Sequence, residues 1–116
     1  MRQIFVFIFL LIILSSCGLL SNEEKINVNI HSDTTLVLSK NKNLKYVNGF
    51  ELIIKGKIEE KIIVTQTNGH NVAYKRELIG IVDTTFFGDW YADTCLIKFE
   101  KINKPIKDLE IRYTFY

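Results

Sequence analysis

The feature that most constrains the fold is a two-residue alternation over residues 45–59. Apolar residues occupy every second position and charged residues mostly occupy the positions between them, with Ile53 as the exception. A β-strand places alternate side chains on opposite faces, whereas a helix of this length would scatter the apolar residues around its surface. The stretch therefore predicts a long, half-buried strand. Its apolar face consists of Phe50, Leu52, Ile54, Gly56 and Ile58.

Shorter runs of the same kind predict further strands along the chain. They are expected at residues 26–31, 34–39, 61–67, 72–78, 79–87, 94–102 and 109–116. A turn at Glu59-Glu60 is expected to separate the strand over residues 45–59 from the strand over residues 61–67. Asn68-Gly69 predicts a hairpin turn, because both residues accept a positive φ. Gly80 predicts a bend or bulge, and Asn103-Lys104-Pro105 is expected to end a strand.

No part of the chain after the N-terminal segment has a sustained helical period. Seven to eight short strands predict an all-β fold, namely a single antiparallel β-sandwich domain over residues 26–116. An immunoglobulin-like arrangement is one form of that prediction, and a small barrel is the alternative.

The N-terminus carries a different kind of signal. After Arg2, residues 4–14 form an unbroken apolar run, which as a helix would rise only about 16 Å and is short for a membrane span. A positive start, a short apolar core and then small residues are typical of a secretory signal. The run ends in Leu14-Ser15-Ser16-Cys17, which resembles the lipobox of bacterial lipoproteins.

The resemblance implies that residues 1–16 are a signal peptide and that Cys17 is lipidated, with residues 17–25 as a tether. Two or three acyl chains would then hold the protein on a membrane, whereas a single chain binds reversibly. Gly18 stands where Asp retains such proteins at the inner membrane, so the resemblance favours the outer membrane of the cell envelope. The acidic pair Glu23-Glu24 is interpreted as part of a solvated tether.

Charge and cysteine content narrow the partners and the chemistry. The chain has 15 basic and 13 acidic residues. Removal of Arg2 with the signal peptide leaves nearly equal numbers of basic and acidic residues. Nucleic-acid binding needs clustered cations, so nucleic acid is not an expected partner. With Cys17 lipidated, Cys95 is the one remaining thiol. Its alternation with Ile97 and Phe99 predicts a buried core residue.

Candidate contact residues lie in the least strand-like stretch, residues 88–93. Trp90 and Tyr91 are adjacent, so one is expected in the core and the other in solvent. An exposed ring there would offer a contact for a glycan or a protein partner. Asp89 and Asp93 complete this predicted contact site.

Other constellations support less specific interpretations. Asp83 with the two neighbouring aspartates could hold Ca²⁺ or serve as acid and base in glycoside hydrolysis, but turn-forming and capping roles are favoured. His31 and His70 have no Cys or Glu at ligand spacing. No metal, cofactor or catalytic residue is therefore assigned.

Three functions follow as hypotheses. The first is a membrane-anchored lipoprotein with a non-enzymatic binding or accessory role in the bacterial cell envelope. The second is a periplasmic inhibitor or immunity lipoprotein against a toxin or hydrolase. The third is a small envelope glycan hydrolase that uses Asp83, Asp89 or Asp93.

Overall fold

The computed structural model describes residues 23–116, and every regular element among them is a β-strand. Among these residues there is no helix that could cross a membrane. The strands are β1 (Glu24–Ile30), β2 (Thr34–Ser39), β3 (Gly49–Thr67), β4 (Val72–Asp89), β5 (Thr94–Glu100) and β6 (Ile106–Phe115).

The six strands form one antiparallel sheet around β3. β4 pairs with β3 along almost its whole length, from Gly49↔Asp89 to Thr67↔Val72. The opposite edge of β3 is shared, because β6 pairs with its first part and β5 with its last part. β1 then flanks β6, and β2 flanks β5. The all-β prediction is confirmed, but the expected two-sheet sandwich of seven to eight strands is replaced by a single sheet of six strands.

The strand count differs because two expected boundaries lie inside continuous strands. Glu59-Glu60 does not make a turn; it lies in an irregularity of the β3–β4 register between Ile58 and Ile62. β3 therefore joins the two runs that the acidic pair was expected to separate. Gly80 likewise bends β4 without ending it. A bulge keeps a strand in its sheet while bending it, so polar or glycine residues there resemble a turn in sequence.

The sheet curls into a half-barrel because β4 doubles back about Gly80. Twelve residues of straight strand would separate Tyr74 from Phe86 by about 40 Å, yet their ring centroids are 5.7 Å apart. Arg76 lies over the same Phe86 ring, with its Cζ 5.3 Å from the centroid. Gly80 has a φ of 81°, in the left-handed region that glycine adopts without a steric cost. The predicted bend is confirmed at this residue.

The other strands are interrupted at the level of Gly80, and this level is called the bend. β1 gives way to β2 across residues 31–33, and β5 gives way to β6 across residues 101–105. The two interruptions are tied together, because the Ile102 N–H donates to Asp33 Oδ1 at 3.0 Å. Lys101, with a φ of 62°, turns the chain there. The predicted break before Pro105 is confirmed.

The opposite end of the half-barrel is called the rim. It comprises the β3–β4 hairpin turn, the free ends of β3, β4 and β6, and two connections, residues 40–48 and 90–93. Gly69 in the hairpin turn has a φ of 98°, which confirms the turn predicted at Asn68-Gly69.

The core lines the inner face of the curled sheet. Its most enclosed members are fully buried residues from β3, β5 and β6, and burying each large apolar side chain contributes about 1.5–3 kcal/mol. Gly56 belongs to the same face, where a Cβ would lie 2.8 Å from Leu109 Cδ1. The chain therefore uses glycine where β6 packs most closely on β3. The residues with no exposed surface are Leu52, Ile54, Cys95, Ile97, Phe99, Leu109 and Ile111.

Candidate functional site

The rim is organised by backbone hydrogen bonds at Asn48. Its N–H donates to the Tyr116 carbonyl at 2.6 Å, and its carbonyl accepts from the Trp90 N–H at 3.2 Å. Tyr116 also exchanges hydrogen bonds with Gly49. Asn48 therefore joins the loop before β3, the connection after β4 and the C-terminus in one network.

Trp90 is held inside the rim and 6% exposed. Its ring centroid lies 6.0 Å from that of Phe50, and its Nε1–H donates to the Thr94 carbonyl at 3.0 Å. A buried indole needs such an acceptor, and this one also closes the tight connection from β4 to β5. Trp90 is therefore an anchor of the rim, and little of its surface is exposed.

Tyr91 points the opposite way and is 74% exposed. The expectation that one of the two adjacent rings is buried and the other exposed is met, although both lie just beyond the end of β4 and not within a strand. The inward Trp90 fixes the backbone from which Tyr91 projects. The exposed ring is thus presented from a constrained position, so that less entropy would be lost on contact with a partner.

A groove of about 260 Å³ opens beside Tyr91. One wall is the connection after β4, and the other is the β3–β4 hairpin, which sequence reasoning had not linked to this site. The two walls meet because the sheet curls, so the only local signal for the second wall was the Asn68-Gly69 turn. The groove is lined by Asn68, Asn71, Val72, Ala73, Asp89, Trp90, Tyr91 and Ala92.

The hairpin wall is fixed by its own hydrogen bonds. Asn68 Oδ1 accepts from the backbone N–H groups of His70 and Asn71, both at 2.8 Å. Thr67 Oγ1 donates to the Asn71 carbonyl at 2.6 Å and accepts from the Gly69 N–H at 3.1 Å. This hydrogen-bonded turn gives the groove a rigid polar side opposite Tyr91. His70 lies on this turn, at the far end of the domain from His31, which follows β1 near the bend.

The three candidate aspartates occupy different places. Asp83 lies in mid-strand opposite Lys55, and six residues of strand place it about 20 Å from Asp89. That separation exceeds the roughly 5–9.5 Å between the carboxylates of glycosidases. Asp93 lies in the last turn before β5 and pairs with Lys40 at 3.8 Å. Across residues 23–116, no three His, Cys, Asp or Glu side chains come together as a metal site.

Cys95 has the buried position that its alternation predicts. It has no exposed surface, and burial raises the pKa of its thiol to about 12, partly offset by a hydrogen bond with Gln66. The thiolate is the reactive form of cysteine, so this side chain is suited to packing and not to nucleophilic chemistry. Gln66 itself is buried, and its Oε1 has no hydrogen-bond partner.

The predicted lipidation site and signal peptide lie outside the described residues. The described chain begins at Glu23, and Glu24 and Lys25, which were expected in the tether, already pair with β6 in β1. A scan against protein-family models gives no match, and a search of curated proteins gives none either.

Proposed function

We propose that this chain is a lipoprotein of the bacterial cell envelope with a non-enzymatic binding or accessory role. The lipobox sequence Leu14-Ser15-Ser16-Cys17 supports anchoring through lipid on Cys17. Gly18 favours delivery to the outer membrane, as the resemblance implies. The mature domain would then act close to the membrane surface, to which a short tether connects it.

The observation that supports the binding role is that the buried Trp90 and the exposed Tyr91 are adjacent at the groove. A buried indole fixes the connection, and the neighbouring phenol is 74% exposed beside a groove with asparagine side chains on its other wall. Rigid aromatic rings with adjacent amide groups suit the recognition of a partner surface, because they supply contact area at low entropic cost. Asp89 and Asp93 flank this surface.

Anchoring is tested by substituting the lipidated residue. Cys17→Ser is expected to abolish incorporation of labelled palmitate and to leave the leader uncleaved, whereas Cys95→Ser is the matched control and is expected to label like the parent chain. Palmitate incorporation into the Cys17→Ser chain would show that the lipobox interpretation is wrong.

The contact surface is tested by photo-cross-linking in cells. A photoreactive residue at Tyr91 is expected to form adducts with an envelope component, and the same residue at Asp83, on the outer face of β4, is the control. Adducts confined to position 91 support the proposal. Equal adducts at both positions, or none at position 91, contradict it.

A further inference from the structure

Exposed aromatic side chains collect at the rim of the half-barrel. Five aromatic residues among residues 23–116 are between 43% and 78% exposed. They lie in the rim connections, at the strand ends beside them or, in the case of Tyr74, at the third residue of β4. The exposed aliphatic residues are spread more widely, since Ile79 and Ile81 lie near the bend. The exposed aromatic residues are Tyr46, Tyr74, Phe87, Tyr91 and Tyr116.

Four of these rings belong to one connected part of the structure. Phe87 and Tyr116 are in edge-to-face contact, with ring centroids 6.1 Å apart. Tyr116 and the residue before Tyr91 are both hydrogen-bonded to Asn48, and Tyr46 lies two residues before Asn48 in the same loop. These four side chains are therefore positioned together by the rim network, and the fifth, Tyr74, packs against Phe86 of β4.

The tether meets the domain at the same end. β1 begins with Glu24↔Tyr113, and Tyr113 lies three residues before Tyr116, which follows the end of β6. Glu23, the residue before it, lies 3.7 Å from Arg112, and its charge contributes, after burial and Glu51, to a raised pKa of the Tyr116 phenol. An extended chain from Cys17 to Glu24 spans at most about 25 Å. The lipid on Cys17 would thus hold the rim end of the domain close to the bilayer.

The bend end has a different surface. Lys104 lies 3.9 Å from Glu59 and 4.0 Å from Glu60, and Lys61 pairs with Glu77 at 3.6 Å. Charged pairs of this kind are suited to water. The domain therefore has an aromatic end next to its tether, whereas the bend end combines these ion pairs with the exposed aliphatic side chains of Ile79 and Ile81.

We propose that the rim rests on the headgroup region of the bilayer to which Cys17 is anchored, with the lipid surface itself as the partner of Tyr91 and its neighbours. This inference rests on the lipidation proposed above and names the partner of the same surface. Tyrosine is suited to that depth, because its ring is apolar and its hydroxyl stays hydrated. Lys42 and Lys45, in the same loop as Tyr46, add cations that anionic headgroups attract.

The inference is tested with nitroxide labels on the full lipidated chain in vesicles of phosphatidylethanolamine and phosphatidylglycerol. One chain carries Tyr91→Cys at the rim, and the matched control carries Lys104→Cys at the bend. Cys95 is buried and Cys17 is acylated, so each chain takes one label. Collision with oxygen, relative to collision with an aqueous nickel chelate, is expected to be several-fold higher at position 91 than at position 104. A second rim label at Tyr46→Cys is expected to behave like that at position 91.

Equal access of the chelate to positions 91 and 104 would overturn the inference, as would a rim label that is shielded from both quenchers by protein. Palmitate incorporation is measured on the same samples. Chains that contain palmitate but have a water-exposed rim would refute the docking alone. Chains without palmitate would refute the anchoring, and the docking with it.

Discussion

Substitution of Gly80 tests the fold most directly. The bend requires the backbone conformation of this glycine, and a side chain as small as that of alanine would not clash there. Its φ is 81°, and a Cβ built on it would meet no atom within 4 Å. In Gly80→Ala the added methyl group therefore fits, but the residue must adopt a left-handed conformation that costs a non-glycine residue about 1–2 kcal/mol.

Gly88 in the same strand is the matched control. A Cβ there also meets nothing within 4 Å, and Gly88 is not among the residues with positive φ. Alanine restricts the unfolded chain to a similar extent at both sites, which favours folding by about 0.4–1 kcal/mol where the native φ suits it. Gly88→Ala is thus expected to match or exceed the parent in stability. The difference between the two alanine variants isolates the backbone cost, about 1–2 kcal/mol.

The assay is urea unfolding followed by the emission of Trp90, the single tryptophan of the chain. The unfolding midpoint of Gly80→Ala is expected to fall below that of Gly88→Ala with little change in slope. Gly80→Asn is expected to lie between Gly80→Ala and the parent, because asparagine tolerates the left-handed region better than alanine does. If Gly80→Ala and Gly88→Ala unfolded at the same urea concentration, the argument that the bend requires a left-handed backbone at residue 80 would be wrong.

Three further predictions concern packing and charge. Gly56→Ala places a methyl group 2.8 Å from Leu109 Cδ1 and is expected to lower the free energy of unfolding by about 1–3 kcal/mol. Urea unfolding is expected to show a smaller loss when the same substitution is made in a Leu109→Ala background. Cys95 is expected to resist thiol reagents in the folded protein and to label at the rate of unfolding; rapid labelling of the native state would contradict its burial. Glu110 receives a hydrogen bond from Lys25, which lowers the pKa of its carboxyl. Its stabilising effect is therefore present above the unfolded pKa and lost as the pH falls through the lowered folded pKa. The melting temperatures of Glu110→Gln and the parent are thus expected to converge as the pH falls below the ordinary glutamate pKa.

Much of the local structure follows from alternation in the sequence. The bounds of β2 are those predicted, because polar residues flank a short alternating run on both sides. The hairpin at Asn68-Gly69 and the bend at Gly80 were also predicted, because each needs a backbone conformation that few residues adopt. Glu59-Glu60 misled the prediction, since an irregularity within a strand and a turn between strands attract the same polar residues.

The candidate site could be predicted only in part. Alternation indicated that one of Trp90 and Tyr91 would be buried, but the choice depends on which side of the connection faces Phe50. The second wall of the groove could not be predicted, because Asn68 and Tyr91 approach each other only after β4 doubles back. Such proximity is a property of the curled sheet and has no counterpart in sequence spacing.

The pairing of β1 with β6 has a consequence for the order of assembly. Glu24 pairs with Tyr113 and Ile30 with Ile106, so the first of the six described strands pairs with the last of them. Pairings between such distant segments form slowly, because a long loop must close before any contact is gained. β1 must therefore remain without its neighbour until β6 has been made. The sheet cannot be completed strand by strand as the chain emerges, and loss of the final strand would leave the first one without a place to pair.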